Sequence, residues 1–194
     1  DRAELAESLG FEYVSMGETN GWNIVPAMAV VAERTDKLGI CDDVISPYSR
    51  APTTIAQAAL TLHDVSDGRF RLGLGTSSPA IAENWHAEDF DRPLRRLRET
   101  IEVIREVYAG GRVSYEGEIY DIGGLGYECE TPTNPPAIDV AGFGPTTTEM
   151  TGRFADGWIP QFLTPDGLRE RLDDLNRGAD LGDRDVDDIR VSPI

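Results

Sequence analysis

The chain of 194 residues is long enough for one domain with a buried core, and its 40 % of hydrophobic residues excludes a disordered chain. Its 35 acidic and 18 basic residues give a formal net charge of -17, which excludes the basic surfaces that bind nucleic acid or anionic lipid. No apolar run approaches the ~20 residues that span a bilayer. We therefore expect a single cytoplasmic domain over residues 1–194, without a nucleic-acid or membrane partner.

The composition carries two further signals. Lys37 is the only lysine, and dense aspartate and glutamate with almost no lysine is typical of proteins from salt-loving organisms, where salt screens the self-repulsion. We therefore expect a halophilic, haloarchaeal source. Two separated cysteines and two isolated histidines lack the spacing of metal ligands, so no metal site is predicted.

Short apolar runs alternate along the chain with longer amphipathic ones, which predicts strands alternating with helices. Gly10 ends the first helix, and Asn23 with Pro26 opens the second. In chain order the pattern predicts helix 1–9, strand 11–16, the helix that opens at Asn23, strand 37–43, helix 53–65, strand 69–75, helix 92–108, a hairpin over 112–121, strand 137–141, helix 146–154, strand 157–160, helix 165–177 and strand 189–191.

This alternation indicates an α/β fold with a parallel sheet and right-handed crossovers. A complete (β/α)8 TIM barrel usually needs ~250 residues. The simplest interpretation is an incomplete barrel that lacks its first strand and its last one or two units. An open doubly wound sheet is the alternative, because periodicity alone cannot separate the two folds.

In either fold, ligands gather at the carboxyl ends of the strands, here segments 17–23, 42–48, 76–79 and 142–147. Asp42 and Asp43 end a strand, either as a turn that caps backbone groups or as an acid–base pair. Segment 142–147 ends a strand and begins a helix, which favours either an anion site or simple capping by threonine. Nothing local decides between these alternatives.

Gly73 and Gly75 suggest a dinucleotide fingerprint, but Ser78 replaces its third glycine and the next helix is expected well downstream. We therefore interpret them as small residues at a strand–helix junction. His63, near a helix end, has the pattern of a structural residue. His86, in the loop after strand 69–75, is the better site candidate of the two histidines.

Several segments together resemble the luciferase-like flavin and deazaflavin oxidoreductases, particularly the branch that uses coenzyme F420. The matching sequences are DDVISPYSRAP with IAQA, DGRF with LGLGT, RPL with RE, and GFGP with ADG, in the expected order along essentially the whole chain. The resemblance implies an eight-unit barrel, of which this chain would run from helix one to strand seven.

The resemblance also implies a cofactor site. A non-proline cis peptide that backs the tricyclic ring would fall on Asp43-Val44, with Ser46 beside it. Thr76 and Ser77 would contact the ring or its ribityl chain. In segment 142–147, the phosphate would be held by Gly142, Gly144 and Thr146.

Members of the family usually form homodimers, so the resemblance also implies a homodimer.

One strand end departs from the family pattern. Where the sugar-phosphate dehydrogenases of the family carry Asp-His, this chain has Glu18-Thr19, and threonine cannot replace histidine as a proton donor. The glutamate that those enzymes carry after strand 69–75 is replaced by Ser78. Glu18 is therefore the candidate catalytic residue, and Glu18, Thr19 or Asn20 would orient cofactor or substrate.

Taken together, the resemblance implies hydride transfer between coenzyme F420 and an unidentified small organic substrate. The alternatives are an FMN-dependent monooxygenase and a catalytically silent flavin-binding relative.

Overall fold

Eight strands and seven α-helices make up the computed structural model, which describes residues 2–194. The strands are β1 Tyr13–Met16, β2 Gly39–Asp42, β3 Phe70–Leu74, β4 Arg112–Glu116, β5 Asp121–Gly126, β6 Ile138–Ala141, β7 Gly157–Ile159 and β8 Arg190–Val191. The helices are α1 Arg2–Ser8, α2 Ile24–Arg34, α3 Pro52–Val65, α4 Pro79–Asn84, α5 Pro93–Ala109, α6 Pro145–Phe154 and α7 Pro165–Leu181. Residue 1 of the first predicted helix lies outside the described residues.

Six strands form one parallel sheet in the order β1-β2-β3-β6-β7-β8, which is also their order along the chain. A doubly wound sheet would reverse its strand order near the middle, so the observed order favours the barrel interpretation. The sheet also curls, which brings its two edge strands together: the Arg190 guanidinium of β8 lies 4.0 Å from the centre of the Tyr13 ring in β1. The architecture is that of an incomplete parallel barrel, as predicted.

Side chains alternate between the two faces of each strand, and the outer face packs against the helices. Ile40, Leu72 and Val140 project outward into the main core with residues of α3 and α5. The inner face of the sheet carries a polar layer. There, the Arg71 guanidinium binds both carboxylate oxygens of Asp139, an aspartate that is only 2 % exposed.

Local capping explains where the helices begin. The Asn23 side chain accepts a hydrogen bond from the amide of Val25 at 3.1 Å, which fixes the start of α2 as predicted. The helices α3 to α7 each carry proline in the first turn, where its missing N–H group costs nothing. Gly10, with a φ of 80°, follows α1 in the left-handed conformation that favours glycine.

Two expectations from the sequence were wrong. A helix does begin directly after the strand that carries Gly73, since α4 starts at Pro79 with Ser78 as its N-cap. The hairpin is also longer than the predicted segment 112–121, because its second strand runs to Gly126. Its turn is held by the buried Glu99 carboxylate, which accepts the amide hydrogen bonds of residues 118, 119 and 120.

Candidate active site

The carboxyl ends of the six parallel strands lie at one edge of the sheet and surround a common opening, which we call the mouth. It is bordered by the segments that follow β1, β2, β3, β6 and β7. The predicted segments 17–23, 42–48, 76–79 and 142–147 all lie on this edge. The site that the sequence predicted in separate pieces is therefore assembled by the topology of the sheet.

The segment after β2 contains a cis peptide bond between Asp43 and Val44, at the position that the family resemblance implied. Val44 turns into the barrel and packs against Cys41 of β2, Ala141 of β6 and Ile159 of β7. This group forms an apolar floor below the mouth. Burial raises the pKa of the Cys41 thiol, so that this side chain belongs to the floor as a neutral group.

Glycines of the neighbouring strands make room for this turn. A Cβ atom on Gly75 would lie 2.6 Å from Val44 Cγ2, and one on Gly73 would overlap the carbonyl oxygen of Asp42. A Cβ atom on Gly17, just after β1, would lie 2.7 Å from the carbonyl oxygen of Asp43. Close approach of the turn therefore explains why glycine stands at position 73 in β3 and at position 75 just after it, which is more specific than the junction role that the sequence indicated.

The two adjacent aspartates do not form an acid–base pair. Asp42 is 0 % exposed and follows the outward alternation of Ile40, so its carboxyl lies on the helix side of the sheet. Its oxygens accept the amides of Ile45 at 3.0 Å and Gly73 at 2.9 Å. Its role is closer to the backbone-capping alternative that the sequence left open.

Asp43 lies on the mouth side of the sheet and is half-buried. Its Oδ1 accepts a hydrogen bond of 3.0 Å from Gln161 Nε2, in the segment after β7. Burial raises the pKa of Asp43, although the Gln161 hydrogen bond works in the opposite direction. Asp43 can therefore hold a proton at a higher pH than an exposed aspartate.

Sequence reasoning missed Gln161 altogether. The two residues are 118 positions apart, and a single glutamine after a short strand carries no recognisable signal. Only its place at a strand end, on the edge where ligands gather, could have marked it as a candidate.

Glu18, the candidate catalytic residue from the sequence, is held in an ion pair. The Arg50 guanidinium donates to both of its carboxylate oxygens, with Arg50 Nη2 lying 2.6 Å from Glu18 Oε1. Arg50 also donates to Asn23 Oδ1 at 3.1 Å and to Ser49 Oγ at 3.1 Å. This network ties the loop after β1 to the loop after β2. The hydrogen bond with Glu18 raises the pKa of Arg50.

The other predicted ring contacts differ in how accessible they are. Ser46 is buried, and its hydroxyl accepts the amide of Tyr48 at 3.2 Å. Thr76 is half-buried after β3, whereas Ser77 is exposed with a φ of 61°. Thr19 is exposed beside the Glu18 ion pair. All four residues lie at strand ends, and their contact with a cofactor stays a prediction.

The segment after β6 leads into α6 through two glycines. Gly142 lies against Thr147, because a Cβ atom on Gly142 would overlap the Thr147 side chain. Gly144 is the N-cap of α6 and Thr146 lies in its first turn. Helix geometry leaves the first-turn amides without intrahelical acceptors, and the helix dipole makes this end positive. The Gly142 carbonyl is fixed by Trp158 Nε1 at 2.9 Å. This glycine-lined helix start has the donor chemistry that a phosphate group requires.

The two histidines lie in different surroundings. His63 is near the end of α3 and beside Gly68, before the start of β3 and so at the opposite end of the strands from the mouth. His86 is half-buried just after α4, and its contribution to the site stays a prediction.

Among the residues that the structure describes, no group of three or more potential ligands could hold a metal ion. None of the helices formed by residues 2–194 is long and apolar enough to cross a membrane.

A family model described as luciferase-like monooxygenase matches residues 1–193. The chain belongs to this family. The superfamily resemblance of the sequence motifs is thereby confirmed.

This luciferase-like chain is similar in sequence to several curated proteins. It is 34 % identical over 180 residues to a putative coenzyme F420-dependent oxidoreductase of Mycobacterium tuberculosis, covering 85 % of this chain and 52 % of the relative. It is 28 % identical over 178 residues to 5,10-methylenetetrahydromethanopterin reductase of Archaeoglobus fulgidus, covering 90 % and 52 %. The chain thus spans about half the length of these curated relatives.

The fold has a close counterpart among solved structures. An F420-dependent secondary alcohol dehydrogenase in complex with an F420-acetone adduct superimposes with a TM-score of 0.92 at 18 % identity. The match covers 99 % of this chain and 62 % of that one. At this level of identity the likeness concerns the fold alone.

Proposed function

We propose that the protein is an oxidoreductase that transfers a hydride between coenzyme F420 and a small organic substrate. The observation that carries this proposal is the arrangement at the mouth, where the Asp43–Val44 turn and the start of α6 border one floor through Val44 and Ala141. A deazaflavin on a ribityl phosphate needs two features. One is a wall behind its ring, here the Asp43–Val44 turn, and the other is a phosphate cradle, here the start of α6. The names of the relatives support coenzyme F420 as the cofactor.

The start of α6 would hold the cofactor's phosphate. Gly142 and Gly144 leave the approach to the helix free of side chains, and the first-turn amides of Thr146 and Thr147 point along the helix axis toward it. The Thr146 hydroxyl adds a further donor. The net charge of the chain is strongly negative, so a local cluster of amide donors is what allows an anion to bind here.

The Asp43–Val44 turn would form the wall behind the ring. Val44 offers an apolar surface above Gly73 and Gly75, and Thr76 lies at the adjacent strand end. When bound, coenzyme F420 supplies the carbon that accepts or releases the hydride, whereas the protein supplies orientation and excludes water. Cys41, Ala141 and Ile159 form the apolar floor below and would exclude water from that side of the ring.

Asp43 is the carboxyl that we assign to proton exchange at the mouth. Glu18 already accepts two hydrogen bonds from Arg50, so it serves better as an anchor of the loops than as a proton donor. Asp43 accepts from the neutral Gln161 amide, and burial raises its pKa. A carboxyl in such surroundings binds and releases a proton closer to neutral pH than a free aspartate does.

The family description itself favours a second candidate, an FMN-dependent monooxygenase. The same wall and the same phosphate cradle would accept FMN, because both cofactors carry a tricyclic ring on a ribityl phosphate. The two candidates differ in which cofactor binds more tightly and in whether oxygen is consumed.

A parallel titration of the purified protein with coenzyme F420 and with FMN tests the proposal. We expect saturable binding of F420 with a change in the deazaflavin absorbance band, and weaker binding of FMN. Tight FMN binding, with substrate-dependent oxygen consumption once reduced FMN is supplied by a separate reductase and NADH, would establish the monooxygenase instead. Absence of binding and of any spectral change with F420 would overturn the proposed function.

A further inference from the structure

The Asp42 carboxyl is a buried acidic group that the proposed chemistry does not use. It is 0 % exposed and lies on the outer face of the sheet, beside the core formed with α3 and α5. Removing a carboxyl from water is costly, and a residue of this type is retained at such a site only where its oxygens make specific hydrogen bonds.

Its two oxygens bridge a gap in the sheet. The paired register of β2 and β3 ends at Cys41 and Arg71, and the two segments meet again at a bridge between Ile45 and Leu74. In between, Asp42 Oδ1 accepts the Gly73 amide at 2.9 Å and Oδ2 accepts the Ile45 amide at 3.0 Å. The carboxyl thus ties the two segments together where the regular register of β2 and β3 is interrupted.

The bridge lies directly below the turn that enters the mouth. Asp43 and Val44 are the two residues between its anchor points at Asp42 and Ile45, and they are the residues that turn into the barrel. The Ile45 amide also bonds the Gly73 carbonyl at 2.9 Å, so both ends of the turn are tied to the same residue of β3. These bonds hold both ends of the turn against β3.

The bridge also requires a carboxyl in particular. It faces two N–H donors, and both oxygens of a carboxyl group can accept a hydrogen bond, including the hydroxyl oxygen of the neutral acid. Asparagine has nearly the same shape but would set its own NH2 group against one of the two amides. Alanine would leave both amides buried without this acceptor.

We propose that Asp42 is a positioning residue, whose carboxyl holds the amides of Ile45 and Gly73 and thereby fixes Val44 in the mouth as the wall against which the cofactor ring lies. The part that concerns the ring rests on the proposed function. The part that concerns the turn does not, since it can be measured without any cofactor.

The test compares Asp42→Asn with the control Ile101→Ala, which removes a buried side chain of α5 and destabilises the core without removing a hydrogen-bonding group of the turn. Amide hydrogen exchange is followed by NMR in the cofactor-free protein, relative to the amide of Val140 in the same sample. In Asp42→Asn we expect the Gly73 amide to exchange at least about tenfold faster, and the Ile45 amide, which keeps the Gly73 carbonyl as an acceptor, to be accelerated less. In Ile101→Ala we expect both ratios to stay unchanged.

The second arm measures the dissociation constant for coenzyme F420 by fluorescence titration. We expect it to rise about tenfold in Asp42→Asn and to stay within about twofold of wild type in Ile101→Ala. Faster exchange without a change in F420 affinity would overturn the positioning role. Unchanged exchange in Asp42→Asn would overturn the bridge itself.

The proposal can also be decided if the variant does not fold or if the wild type binds no F420. If Asp42→Asn does not fold, the exchange of the wild-type amides decides. A held turn requires the amides of Ile45 and Gly73 to exchange as slowly as that of Leu72 in the core strand β3. Exchange as fast as that of the exposed Ser77 would overturn the bridge. If the wild type binds no F420, the proposed function fails and the role toward the ring fails with it. The exchange arm still accepts or rejects the bridge in that case.

Discussion

At the scale of single residues, the site depends on which face of a strand each side chain takes. Asp42 and Asp43 are neighbours of the same chemical type, yet one carboxyl braces the backbone from the outer face while the other faces the mouth. The sequence alone left a capped turn and an acid–base pair as equal alternatives. Strand alternation separates the two residues, but only the structure shows what each one contacts.

The close contact between Gly75 and Val44 gives a prediction about stability. Gly75→Ala should lower the free energy of unfolding by about 1–3 kcal/mol, because its Cβ would lie 2.6 Å from Val44 Cγ2 and force the turn to shift. Adding Val44→Ala should restore part of this loss by removing the clash. Urea unfolding of the two single variants and the double variant measures the coupling, and strictly additive effects would contradict the contact.

The Asp42 carboxyl should make stability depend on pH. Burial raises its pKa from the usual 3.8 to about 8, with Asp139 adding to the increase and the amides of Gly73 and Ile45 opposing it. Because the folded state holds the proton more tightly, the contribution of Asp42 to stability is full below about pH 4 and is lost as the pH rises to about 8.

Urea unfolding of wild type and Asp42→Asn between pH 5 and pH 9 checks this prediction. Whatever its sign at pH 5, the stability difference should shift in favour of the asparagine variant as the pH rises, and it should level off above the pKa of Asp42. A difference that stays constant across this range would show that Asp42 keeps an ordinary pKa in the folded protein.

At the scale of helices and strands, short apolar runs predicted the six parallel strands and periodicity predicted most of the helices. The strands β2, β6 and β7 are buried throughout, whereas the longer helices bury one face. Periodicity missed α4, a helix of six residues that is too short to show a period. Ser78 followed by Pro79 is a recognised helix start and could have marked it. The pairing of Asp43 with Gln161 could not have been predicted, since it depends on how far the sheet curls.

The start of α6 allows a test of the phosphate cradle that separates binding from folding. Gly144→Asp places a good N-cap on α6, so the melting temperature should stay level or rise slightly. The added carboxylate should nevertheless repel a phosphate at the same amides and weaken F420 binding by at least about tenfold.

Gly144→Asn is the matched control for this variant, because it caps the helix without adding a charge. Its affinity for F420 should fall less than that of Gly144→Asp in the same fluorescence titration. Equal F420 affinity in wild type and Gly144→Asp would remove α6 as the phosphate site.

At the scale of the whole molecule, the dominant property is a net charge of -17 on 194 residues. The carboxylates repel one another, and salt screens this repulsion over the Debye length. We therefore expect the melting temperature to rise as potassium chloride is raised from low to molar concentration. Sucrose of matched osmolality serves as the uncharged control. A melting temperature that is flat or falling with salt would contradict the expected halophilic behaviour.

The central claim is that the mouth holds the ring of coenzyme F420 against the Asp43–Val44 turn and its phosphate at α6. The most direct measurement is the mapping of amide chemical shifts by NMR as F420 is added to the isotopically labelled protein. We expect the largest changes at Val44, Gly75, Thr146 and Thr147, with little change at His63 on the opposite end of the strands. Changes confined to that opposite end, or spread evenly over the surface, would contradict it.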